Sequence, residues 1–142
     1  MSELTDLRRR VRQAIQDARN KAAARRTSRD EASRAWDVAL DQVVVPLSRD
    51  MAAALTGEGL GFRLDTPGRV ARLVSDKSPD DYIEIALDDS DDAESPEVLG
   101  RIVRGRGRQN VVVIEEPLGA PAGMAVDRLT AYFTKAIAYW VR

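Results

Sequence analysis

Residues 82–87, Tyr82-Ile83-Glu84-Ile85-Ala86-Leu87, alternate without interruption. Successive side chains of an extended chain point to opposite faces, so Ile83, Ile85 and Leu87 share one face and Tyr82, Glu84 and Ala86 the other. The hexapeptide predicts a strand with one buried face, and similar runs flank it. Upstream, Phe62 and Leu64 alternate with Arg63 and Asp65, Thr66-Pro67-Gly68 marks a tight turn, and Val70 to Val74 forms a second run before Ser78-Pro79-Asp80. Downstream, runs at 97–104 and 110–116 are separated by Gly105 to Asn110. Short glycine-bearing connections favour antiparallel hairpins, so residues 60–116 are expected to form a meander of four or five strands.

Helical periodicity surrounds this block. Leu4, Leu7, Val11, Ala14, Ala18 and Ala22 recur at spacings of three and four, with Ile15 widening the stripe. The pattern fits an a/d seam of about three heptads and a coiled-coil-like contact. Thr27 to Glu31 is expected to break the helix, because Ser28 and Glu31 have capping-box spacing, with one continuous helix through Ser28 as the competing possibility. A second helix then carries Ala32, Ala35, Trp36, Ala39, Leu40, Val43, Leu47, Met51 and Leu55. Pro46 predicts a kink or a fresh start inside it, and Gly57 a C-terminal cap. A last helix is expected from about Ala122, with Ala125, Leu129, Tyr132, Phe133, Ala136, Ile137 and Trp140 on its apolar face. The expected fold is α+β in a single domain over 1–142. It comprises an N-terminal helical hairpin (3–57), the antiparallel sheet (60–116) and a C-terminal helix packed on that sheet (122–142).

Composition removes whole classes of chemistry. The 142 residues include no cysteine and no histidine. Disulfides, thiolate nucleophiles and imidazole bases are thereby excluded, and any metal site would have to be all-oxygen. The apolar fraction of 44% suffices for one core. No apolar run approaches the roughly 20 residues of a membrane helix. The N-terminus carries acids where a secretion signal carries bases, so no membrane association and a cytoplasmic location are expected. The net charge is −1, yet it is segregated: residues 1–29 carry +6 and residues 76–97 carry −9. Arginine outnumbers lysine 19 to 3, a bias that a GC-rich bacterial genome produces without functional pressure.

The motifs argue mostly against specialised sites. The acidic run Asp88, Asp89, Asp91, Asp92, Glu94 fails as an EF-hand loop, since its sixth and twelfth positions are Ala93 and Leu99 rather than glycine and glutamate. Gly105-Arg106-Gly107-Arg108, preceded by Arg101 and Arg104, has the arginine and glycine content of nucleic-acid hooks, but as a single copy it reads as a hairpin turn. Gly119 to Gly123 lacks the lysine and hydroxyl of a P-loop. Glu115 and Glu116, adjacent on a strand, point to opposite faces and cannot form a carboxylate pair. No cofactor, metal or catalytic residue is expected.

Three function classes follow from these features. The first is a non-enzymatic protein-interaction module (adaptor, chaperone-like or accessory subunit) that binds a protein partner or its own copy through Leu4, Leu7, Val11, Ala14 and Ala18. In that reading the basic helix of one copy meets the acidic loop of another. The second is a nucleic-acid accessory protein that uses Arg8, Arg9 and Arg12 of the first helix with Arg101, Arg104, Arg106 and Arg108. The acidic isoelectric point near 5.6 weighs against it. The third and weakest is an enzyme built on carboxylates distant in sequence.

Overall fold

A computed structural model describes residues 2–88, 90, 95–106 and 110–142, with Arg106 and Asn110 described by their backbone alone. Five strands form one antiparallel sheet in the order of the chain: β1 (Phe62–Asp65), β2 (Ala71–Ser75), β3 (Tyr82–Leu87), β4 (Val98–Arg106) and β5 (Asn110–Gly119). The hexapeptide 82–87 is the central strand, in register with Leu73 through Ile83 on one side and with Ile102 on the other. The α+β meander expected from the sequence is therefore present with five strands, and its last two run longer than the apolar pattern indicated.

The helical hairpin is not. Helix α1 runs unbroken from Glu3 to Ala39, a five-residue π turn follows at Leu40–Val44, and α2 continues directly over Val45–Gly57. The expected break at Thr27 to Glu31 is absent for a local reason. Thr27 turns its hydroxyl back onto the Ala23 carbonyl (3.1 Å), a bond made inside a helix rather than at its start. No glycine or proline occurs between Glu3 and Val45, and restarting a helix costs a new nucleus, so propagation prevails. Pro46 acts as expected. It has no N–H to donate and its ring crowds the preceding turn; the chain widens just before it, and Val45 donates to the Leu40 carbonyl, five residues back. The C-terminal helix begins later than Ala122: a 3-10 turn (Pro121–Gly123) and extended Ala125 precede α3 (Val126–Trp140).

The three α-helices and the π turn contribute to one apolar cluster on one face of the sheet. It joins Trp36 and Ala39 of α1, Val44 of the π turn, Ala52 and Leu55 of α2, and Leu129, Phe133 and Ala136 of α3 to Leu73, Ile83, Ile85 and Ile102. Phe62 meets Trp140 edge-on at 5.1 Å between ring centres. Trp36 is fully buried and donates its indole N–H to the Arg69 carbonyl at 2.7 Å. Arg69 in turn donates to the Ser33 carbonyl and pairs with Asp37 (2.7 Å), so the β1–β2 turn clasps the last third of α1.

Gly100 on β4 lies directly under the Tyr132 ring of α3, and a Cβ there would run into that ring. Gly100→Ala should therefore destabilise the fold by about 1–3 kcal/mol through overpacking, measured by urea denaturation. A variant as stable as the parent would mean that α3 does not sit on β4 in this way.

Candidate interaction surface

Beyond the clasp, α1 leaves the body of the protein. Glu3 through Thr27 are exposed apart from half-buried Ala22, an arm of about 37 Å at 1.5 Å per residue. Ser2 caps it, accepting from the Thr5 N–H, and Gln13–Asp17 and Gln16–Asn20 hydrogen bonds brace its polar face at helical spacing. The stripe expected from the sequence lies along this arm. Leu4, Leu7, Val11 and Ile15 are 56%, 57%, 50% and 47% exposed, and Ala14 and Ala18 are exposed beside them. Helical spacing carries the same line through Ala22, Arg25, Arg29 and Ala32 to Trp36. One apolar face is thus covered by the protein's own core near Trp36 and bare near the N-terminus.

The arginines singled out in the sequence divide into three groups. Arg8, Arg9 and Arg12 are exposed on the arm, and Arg8 and Arg12 line one edge of the stripe. Arg101 and Arg104 are engaged inside the sheet. Arg101 bridges Glu84 (3.4 Å) and Glu115 (2.9 Å); Arg104 donates to the Trp140 carbonyl (2.9 Å) and stacks over its ring at 4.2 Å. There it meets the negative end of α3. The Arg106 side chain, Gly107 and Arg108 lie outside what is described, as do Asp89, Asp91, Asp92 and Glu94 of the acidic loop. Of the five with described side chains, Arg8, Arg9 and Arg12 lie on the arm, while Arg101 and Arg104 face opposite sides of the sheet.

The sheet face opposite the helices carries a row that the sequence did not reveal. Asp65, Arg72, Glu84, Arg101 and Glu115 stand in register across all five strands with alternating sign. Glu84 at the centre is buried and accepts from Arg72 (3.0 Å) as well as Arg101, while Arg72 also covers the Tyr82 ring at 4.1 Å. Once strand order is known the row can be read from the register; alternation alone shows only a polar position. Glu115 and Glu116 point to opposite faces as expected, the second pairing with Lys135 of α3 (3.0 Å). Among the described residues no acidic cluster is arranged to hold a metal ion. No described helix is long and apolar enough to cross a membrane.

Between β5 and α3 lies a cavity of about 260 Å³, lined by Ile102, Ile114, Pro117, Tyr132, Ala136 and Tyr139 with the Glu116–Lys135 pair. The buried Tyr132 hydroxyl finds no hydrogen-bond partner among the described residues. Burial pushes its pKa well above the usual phenol value, and the Glu116 carboxylate adds to the rise. A small core residue facing a ring, as Gly100 faces Tyr132, leaves no trace in a strand's alternation pattern.

No protein family matches the chain, and neither curated proteins nor solved structures show significant similarity to it.

The phenol's environment predicts an alkaline limit to stability. The folded state holds the Tyr132 proton more tightly than the unfolded state, so the associated stability is intact below about pH 10 and is lost as pH rises above it, by up to about 1.4 kcal/mol per unit. Tyr132→Phe should abolish that slope. At neutral pH it should leave stability unchanged or slightly higher, because no hydrogen bond is removed. Thermal melts of both proteins at pH 7 and pH 11 check this.

Proposed function

We infer that this protein is a non-enzymatic interaction module whose docking element is the arm of α1. One observation carries the reading: four large aliphatic side chains, Leu4, Leu7, Val11 and Ile15, stand about half exposed along one line of a helix clear of the domain. Exposed apolar area of this contiguity marks a surface made to be covered. An amphipathic helix offering anchors at i, i+3 or i+4, and i+7 is a standard means of docking into a partner groove or a helix pair. Supporting this, Glu84, Glu115 and Glu116 are held by arginine or lysine rather than converging in a cleft as catalytic carboxylates do. The nucleic-acid reading is weaker because Arg101 and Arg104 hold the sheet and α3 together. The partner is a protein surface, and the role that of an adaptor or accessory subunit.

The test is the paired substitution Leu7→Asp with Val11→Asp. Folding stability should change by less than about 0.5 kcal/mol, because neither residue contributes to the core. Association should be lost, both self-association in sedimentation and the capture of any protein that the parent draws from native extract. If the variant keeps every association of the parent, the arm is not a docking element.

A further inference from the structure

We propose that the arm's partner is a second copy of this chain, paired antiparallel so that two α1 arms form a two-helix seam. This rests on the reading of the arm as a docking element and specifies what covers it. The stripe is graded in size: Leu4, Leu7 and Val11 occupy its N-terminal half, Ala14, Ala18 and Ala22 its C-terminal half. Reversing one copy against another sets large against small throughout. With the two-fold axis between Arg12 and Gln13, Val11 faces Ala14 of the second copy, Leu7 faces Ala18, and Leu4 rests on Ala22 and the methylene stem of Lys21. Ile15 packs on the stem of Arg8. Alanine in every layer lets the two backbones approach closely, while leucine or valine opposite fills the space.

Charge gives a mixed answer, and steric fit decides it. One edge of the stripe carries Arg8, Arg12, Arg19 and Arg26; the other carries Glu3, Arg10, Asp17 and Lys21. Antiparallel pairing places like edges together. It brings Arg10 of each copy beside Asp17 of the other, but it also aligns the arginine edges. Those arginines are exposed, so each such repulsion is weak, and salt screens it beyond about 8 Å. A parallel pair would match unlike edges. However, the bare stripe, half-buried Ala32 and the core residue Trp36 lie on one line of α1, so in a parallel pair both protein bodies would fall on the shared side and overlap. In the antiparallel pair the bodies sit at opposite ends, and the seam spans about 20 residues of bare arm.

The absence of cysteine makes the geometry directly testable. Leu7→Cys and Ala18→Cys are made separately in the full chain, mixed, oxidised and run without reductant. The expected product is a mixed disulfide between the two variants, with little self-linking of Leu7→Cys, and the parent sediments at twice its chain mass of 15.7 kDa. Predominant self-linking of Leu7→Cys would overturn the antiparallel pairing in favour of a parallel one, leaving the docking reading intact. A monomeric parent that loses a protein from native extract on the paired aspartate substitution would overturn the second copy as partner and keep the arm as a docking element. A monomer that loses nothing would overturn both.

Discussion

The burial of Trp36 between the helical layer and the sheet is the contact on which the rest of the architecture depends. Its ring is part of the core, and its N–H satisfies the Arg69 carbonyl at the turn between the first two strands. Arg69 returns the contact through Asp37 and the Ser33 carbonyl. Loss of so large a buried ring costs about 3–5 kcal/mol in typical proteins. The consequence reaches further than stability. Because the last third of α1 is held at this point and the helix is unbroken, these contacts direct its first two-thirds, which stay exposed among the described residues.

The two faces of the sheet solve different problems. One face is covered by helices and is apolar. The other keeps its central carboxylate, Glu84, buried between two arginines, with the series of alternating charges extending to the outer strands. Removing either arginine would leave Glu84 poorly compensated, whereas in the intact row it is paired with both. The same arrangement engages the two described arginines of the arginine-rich stretch. Arg101 is held by two glutamates, and Arg104 passes to the other face to meet the end of α3.

The sequence made the strands legible because their alternation is local: Ile83 and Ile85 mark a buried face whatever else surrounds them. The stripe from Leu4 to Ala18 was legible for the same reason, as was the opposition of Glu115 and Glu116. The capping-box spacing at Ser28 and Glu31 misled, since a cap signal competes with helix continuation and nothing between Glu3 and Val45 forces a stop. Tyr132 over Gly100 and the row through Glu84 were invisible, because each joins residues on different elements whose register is not written in either one.

Composition and periodicity alone determined the α+β class, the antiparallel meander, the exclusion of thiol and imidazole chemistry, and an amphipathic N-terminal helix. These follow from residue types and from spacings within one segment. The tertiary structure decided whether the helix's apolar stripe is covered. A stripe has the same spacing whether it lies on its own core or on a partner, and the difference is made by where the helix is anchored. Trp36 anchors it at one end only, and the burial of a side chain depends on what the whole fold brings next to it.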